Sequence, residues 1–458
     1  MSTIAVIGAG GLVFPLRLIA DILSHAELQG STLRLMDIDE ARLRLTTDAV
    51  LDLSAHHRLP ARIEATTDRR RALDGATHVF LTFQVGGLEA YRCDVEIPRR
   101  YGVDQTVGDT LGPGGVFRFL RTVPVLRQLA ADIAELCPGA LVLNYVNPMA
   151  MNCWFLDRMG VRTVGLCHSV QGTSRMLARQ LDVPYEELRF QVAGINHQAW
   201  FLELKRQGED LYPHLRDTMR RRHLHGSTGM ARNAPEEAEA GNPTESVESV
   251  YEGRQEQVRA EIMAAFGYFQ TESSHHASEY LPYFRTSAER VGTVLPERWD
   301  YYDICSAQDA AQATAHLLDR LKATLEPSHE YGAPIVHGMV TGRPLVVYGN
   351  VPNHGLIPNL PEGCSVEVPC HVDSKGVQPM TVGRLPPQCA ALNRTNINVQ
   401  ELAVEAAVRE DIDHIYHAVM LDPLTAALLP LGRIRELVDE LRAAEAAWLP
   451  EFARPDVG

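Results

Sequence analysis

The residues with the clearest chemical potential in this chain are Cys167, in Leu-Cys-His-Ser-Val-Gln-Gly-Thr, and His197, in Ala-Gly-Ile-Asn-His. A thiolate and an imidazole are good ligands for a borderline divalent metal and leave positions open for substrate oxygens. Each residue alone is equally compatible with simple burial, and their spacing does not decide between the two. A second signal lies at the N-terminus. Gly8, Gly10 and Gly11 follow the apolar run Ile4–Ile7 and open a helical stretch, where backbone can approach a pyrophosphate at a helix N-terminus. Asp37 ends the next apolar run, where an acid would bond ribose hydroxyls and favour NAD over NADP. Val13 replaces the third glycine of the usual Gly-x-Gly-x-x-Gly pattern, so a plain tight turn is the competing reading. Metal and dinucleotide together point to redox chemistry on an oxygen-bearing substrate.

The elements that must position these groups follow from periodicity. Apolar runs at 4–7, 33–36, 78–83, 141–145 and 161–166 alternate with helical patterns at 14–28, 39–55 and 117–136. This predicts βαβ units, a Rossmann-like, doubly wound, mostly parallel sheet, and a ligand site at the strands' carboxyl ends. Gly8, Asp37, Gln84, Asn147 and Cys167 all fall at or just past such ends. Residues 84–115 read as a functional loop, in which Gln105, Thr106, Asp109 and Thr110 are placed to close over substrate or cofactor. The polar stretch 222–248 reads as an excursion. Helices are expected at 251–267, 307–325, 399–409 and 432–447, and strands at 345–348 and 365–372. The expected division is a dinucleotide-binding domain at 1–195 and a helix-rich, mixed α+β substrate and oligomerisation domain at 196–458.

Composition sets the outer limits. The chain has 458 residues and a net charge of −15 without a basic block, which argues against nucleic acid and anionic membranes as partners. The eight cysteines form no Cys-x-x-Cys pair and read as reduced thiols of a cytoplasmic protein.

The chain resembles glycoside hydrolase family 4, the NAD- and metal-dependent glycosidases. The resemblance rests on Gly8-Ala-Gly-Gly11, Leu35-Met-Asp-Ile-Asp39, Asn144-Tyr-Val-Asn-Pro-Met149, Cys167-His-Ser-Val-Gln-Gly-Thr173 and Gly194-Ile-Asn-His197. It continues through Glu367-Val-Pro-Cys370, Leu392-Asn-Arg-Thr-Asn396 and Asp422-Pro-Leu-Thr425. The Cys167 segment is most similar to the melibiase, or α-galactosidase, branch. The loop 107–115 is similar to both α-galactosidases and α-galacturonidases.

The resemblance implies an elimination–addition mechanism: oxidation at C3 of the sugar by NAD⁺, loss of the C2 proton, cleavage at C1, addition of water and return of the hydride. It implies Mn²⁺ or another divalent metal on Cys167 and His197, and Asn147 as a substrate contact. Tyr280, in His276-Ala-Ser-Glu-Tyr-Leu-Pro-Tyr283, is the expected base, with His276 and Glu279 as neighbours. A packing pair of aromatics is the alternative for that segment. His168 stands where phospho-sugar enzymes carry an acid, which opens the question of the proton donor. Asp109 is expected to contact a hydroxyl. Arg394 would suit a carboxylate, or serve as an ordinary ion pair. An α-linked galactoside is the expected substrate, with α-galacturonidase, α-glucosidase and a 2-hydroxyacid-type dehydrogenase as alternatives. A homodimer or homotetramer is the expected assembly.

Overall fold

The computed structural model describes residues 2–224 and 256–452. Most of the expected 222–248 excursion lies outside the described residues, as do residues 251–255 of the first C-terminal helix. Six strands form the parallel half of the sheet: β1 (Thr3–Ile7), β2 (Thr32–Met36), β3 (Arg62–Thr66), β4 (His78–Leu81), β5 (Leu141–Asn144) and β6 (Thr163–Gly165). Their order is β3-β2-β1-β4-β5-β6, with every neighbouring pair parallel. This is the doubly wound, dinucleotide-binding order, whose direction reverses beside β1. β4 and β5 are buried along their whole length, as strands covered by helices on both faces must be.

Antiparallel strands extend the same sheet beyond β6. They are β7 (Leu188–Ile195), β8 (Gln198–Arg206), β9 (Glu209–Asp210), β10 (Phe269–Gln270), β11 (Leu345–Pro352), β12 (Ser365–Asp373) and β13 (Gly376–Pro379). The order runs β6-β11-β12-β7-β8-β10, with β13 beside β12 and β9 beside β8. The β11–β12 ribbon is paired along eight residues. Its two seams are short: Asn350 meets Gly165 of β6, and Glu367 meets Gly194 of β7. The sheet therefore crosses residue 195 unbroken, and that position lies at the turn of the β7–β8 hairpin.

Two of the stretches assigned from the sequence differ. Residues 84–115 contain a helix, Gly87–Arg100, that buries Ala90, Tyr91, Val95 and Ile97, so the true loop is 101–111. The helix expected at 399–409 begins at Pro387, a favoured first position, and runs to Arg409. No described helix is long and apolar enough to cross a membrane.

Candidate metal and dinucleotide site

Three elements bring the candidate metal donors together. Cys167 lies two residues past β6, where Leu166 N–H bonds Asn144 O at 3.0 Å. His197 occupies the two-residue turn between β7 and β8, with φ of 62°. A histidine held in the left-handed region signals a local conformation imposed by its surroundings. Glu272, also left-handed at φ 74°, follows β10, which pairs with β8. One donor atom from each of Cys167, His197 and Glu272 lies within 4.8 Å of the other two. His197 Nε2 is 3.6 Å from Glu272 Oε2. The sequence reading found the first two and missed Glu272.

The electrostatics of this cluster suit a cation. Burial pushes the Cys167 thiol up to about 12, and the Glu367 and Glu272 carboxylates add to the effect. Burial raises Glu367 to about 8. Among the described residues neither Glu367 oxygen has a hydrogen-bond partner, and the facing Asn350 amide turns its nitrogen to Met149 Sδ and Gly165 O. Burial also opposes ionisation of Glu272, but His197, His276 and the Ser273 N–H outweigh it and hold that carboxyl below its ordinary value. A thiol, an imidazole and the Glu272 carboxylate, with the buried Glu367 carboxyl beside them, form a donor set a divalent ion would stabilise.

A chain of proton-carrying groups adjoins His197 on its other side. His197 Nδ1 lies 3.1 Å from His276 Nε2 and 3.3 Å from Tyr280 Oη. Thr110 Oγ1 joins His276 Nε2 at 2.8 Å and accepts from Tyr280 Oη at 2.9 Å. This arrangement suits an Nδ1–H tautomer of His197, leaving Nε2 free to face Cys167 and Glu272. Burial raises the Tyr280 phenol well above its ordinary value, with the Thr110 bond opposing. Burial, and next His197, keep His276 below its ordinary value, hence neutral at pH 7.

The glycine turn is a cradle that side chains would fill. Gly8 has φ of 94°, and a Cβ there would lie 2.6 Å from Phe83 N. At Gly10 a Cβ would lie 2.7 Å from the Asp37 carboxylate. Asp37 Oδ2 accepts from Gly10 N–H at 2.8 Å, and its Oδ1 accepts from Asp39 N–H at 3.0 Å. Asp37 thus braces the turn and keeps lone pairs for a ribose. The helix Val13–Ser24 opens immediately after, offering free N–H groups. Gln84, past β4, donates to Gly87 O at 3.0 Å.

Other expected site residues divide by location. Asn147 Nδ2 donates to Asp109 Oδ2 at 3.1 Å, while Asp109 Oδ1 is buried without a partner among the described residues. Arg118, which the sequence reading did not single out, approaches Asp109 Oδ2 at 3.8 Å and keeps a buried Nη1 without a hydrogen bond. His168 pairs with Glu330 at a more exposed rim. The Glu279 carboxylate faces the 105–108 backbone. Arg394 is exposed and donates to Asn359 O at 2.9 Å, whereas Asn393 and Asn396 of the same helix turn inward to Gln198 and Tyr280 O. Glu367 stood in a motif already noticed. An acid within the apolar run Val366–Cys370 was the signal that could have assigned it a place.

A doubly wound dinucleotide sheet that ends in a thiol–imidazole–carboxylate cluster defines an enzyme combining a redox cofactor site with a metal site. Residues 3–183 match the family described as Family 4 glycosyl hydrolase, and residues 192–425 match the Family 4 glycosyl hydrolase C-terminal domain. The chain belongs to glycosyl hydrolase family 4. It is 39% identical to an α-galactosidase of Bacillus subtilis (strain 168), covering 99% of this chain and 100% of that one. It is 35% identical to an α-galactosidase of Rhizobium meliloti (strain 1021), covering 98% of this chain and 89% of that one. In fold it is similar to a 6-phospho-α-glucosidase from gut microorganisms solved in complex with NAD and Mn²⁺. The TM-score there is 0.79 at 20% identity, over 99% of this chain and 100% of that one.

Proposed function

We propose that this chain hydrolyses α-galactosides by oxidation, elimination and water addition, using NAD and a divalent metal, manganese in the first instance. The observation that carries the proposal is the Cys167–His197–Glu272 cluster, placed at the end of a dinucleotide sheet and joined through His197 to Tyr280. Full-length identity to α-galactosidases supports the choice of sugar. When bound, NAD supplies reversible oxidation at C3 and the metal supplies Lewis acidity at the neighbouring sugar oxygens.

The chain's own groups do the rest. Cys167, His197 and Glu272 would hold the metal, and the Gly8–Gly11 turn with Asp37 and Gln84 would hold the dinucleotide. Tyr280 Oη removes the C2 proton. Thr110 O–H and His197 Nδ1–H both reach that oxygen and donate to the phenolate that must precede proton removal. His276 Nε2 lies beside both donors. Asn147, Asp109 and Arg118 offer a buried donor–acceptor set to sugar hydroxyls. His168, steered by Glu330, faces the more exposed rim as proton donor to the departing oxygen.

The test is hydrolysis of aryl α-galactoside, α-galacturonide and α-glucoside, each with NAD⁺, Mn²⁺ and a thiol reductant. The galactoside is expected to be cleaved fastest, with solvent deuterium entering C2 of the product. Cleavage of another glycoside with the galactoside untouched overturns the sugar assignment. Net accumulation of NADH favours the dehydrogenase reading. The eight free cysteines fit a reducing, cytoplasmic setting. A homodimer or homotetramer is expected by sedimentation.

A further inference from the structure

Glu279 precedes Tyr280 in the chain and is only 2% exposed. Its carboxylate collects five donors from a single loop. Oε1 accepts from Thr106 N–H at 2.6 Å, Val107 N–H at 2.8 Å and Thr106 Oγ1 at 3.0 Å. Oε2 accepts from Gly108 N–H at 3.1 Å and Gln105 Nε2 at 3.3 Å. Three successive N–H groups converging on one anion form a backbone nest, closed here by Gly108 at φ 60°. Such a nest ordinarily receives an anionic ligand. In this chain a carboxylate of the protein fills it. A carboxylate offers about four acceptor sites, so five donors leave none for a substrate hydroxyl.

The same loop is gripped a second time. Thr110 Oγ1 sits between His276 Nε2 and Tyr280 Oη. Residues 276–280 therefore hold 105–110 at two points, and Asp109 lies between them. Arg285 braces the start of the loop, donating to Asp104 O and, through Nη1, to Ser278 Oγ at 3.0 Å.

We propose that Glu279 is a positioning residue: its carboxylate shapes the 105–110 loop so that Asp109 faces the sugar and Thr110 faces Tyr280, and it does not itself touch substrate. The proposal rests on the glycosidase reading for its kinetic consequence and on geometry alone for the latch. A displacement of about 1 Å in a catalytic group can cost on the order of a hundredfold in rate.

The experiment uses Glu279→Gln in the full-length protein loaded with NAD and Mn²⁺. The amide keeps one accepting oxygen and sets an NH₂ against the nest's own donors. The kcat on aryl α-galactoside should fall roughly 30- to 100-fold with KM within about threefold of the unaltered enzyme. Hydrogen exchange of the 105–110 backbone should quicken at least about tenfold. A raised KM with unchanged kcat would make Glu279 a substrate contact and overturn the proposal. Unchanged kcat, or unchanged exchange, overturns it as well. If Glu279→Gln does not fold, Glu279→Asp keeps the charge but draws the carboxylate back from the nest by one methylene. It should show the same loss in kcat at constant KM, and unchanged kcat in that variant refutes the latch. Failure of the unaltered enzyme on every glycoside would count against the glycosidase reading, while the exchange measurement, made without substrate, still decides the latch.

Discussion

Glu272 shows how a site residue becomes visible only through pairing. Cys167 and His197 could be picked from the sequence because their residue types are uncommon and their neighbours distinctive. Carboxylates are abundant, and the importance of Glu272 comes from β10 bonding to β8, which brings residue 272 beside the hairpin turn at 197. If the three donors act together, Cys167→Ser should weaken Mn²⁺ binding by orders of magnitude. Glu272→Gln should weaken it roughly ten- to a hundredfold or more, measured by calorimetric titration of the NAD-loaded protein. Unaltered affinity in Glu272→Gln would remove that residue from the donor set. Glu279 is read differently from its sequence neighbourhood for a related reason. Its place beside Tyr280 makes it an expected substrate contact, whereas its carboxylate accepts from the N–H groups of residues 106–108, a loop far away in sequence.

A residue outside the site sets a pH limit. His78 is buried in β4, and its Nε2 has no partner among the described residues. Burial first, and Arg162 second, lower its pKa to about 4. The unfolded chain, with an ordinary value near 6.5, binds a proton through the window between those two values. Stability from this group is therefore complete above pH 6.5 and is lost as pH falls towards 4, by up to about 3 kcal/mol. His275, also lowered to about 4 by burial, acts in the same direction. His78→Gln should flatten the dependence of unfolding free energy on pH across that window. A slope as steep as that of the unaltered protein would contradict the assignment.

At the scale of elements, a dry charge cluster ties the C-terminal helix to the dinucleotide half. Arg121, on the helix Gly112–Leu136, binds Asp94 of the helix Gly87–Arg100 through both terminal nitrogens, at 2.7 and 2.6 Å. It also holds Glu445, just past the helix Leu431–Ala444, at 2.9 Å, and all three side chains are 0% exposed. Burial raises both carboxyls. Arg121→Met should lower unfolding free energy by about 3–5 kcal/mol at neutral pH, because two buried acids lose their countercharge. The folded variant would hold those acids above their unfolded pKa values. Its deficit thus grows as pH rises above about 4.5, through neutral pH, and shrinks as pH falls towards that value. Urea unfolding at pH 7 and pH 5 tests this, and a larger deficit at pH 5 contradicts it.

The elements were unevenly legible in the sequence. β1, β2, β4, β5 and β6 were apparent because a buried parallel strand reads as a compact apolar run between helical patterns. β3 was missed because none of its five residues, Arg62–Thr66, is fully buried and they carry no apolar run. The hairpin β7–β8 was missed because its turn is Asn196-His197, without the glycine that usually announces one. The helix 87–100 was read as loop because Gly86-Gly87 and its charged residues obscured a narrow apolar face.

For the molecule as a whole, local periodicity gave the parallel half and its helices. The order of the remaining strands depends on pairings between distant residues, which leave no local trace. The sheet is built out of sequence: β6 and β7 are separated in space by two strands made much later, at 345–352 and 365–373. This has a kinetic consequence. During synthesis, Cys167, His197 and Glu272 all emerge before the ribbon that sets the distance between their strands. The active centre can assemble only after residue 373 is available, by closing loops of more than a hundred residues, which is slow. A fragment ending at residue 344 should therefore contain every metal donor and still fail to bind Mn²⁺ tightly. Addition of a separate 345–458 segment is the direct way to ask whether the missing part is the ribbon.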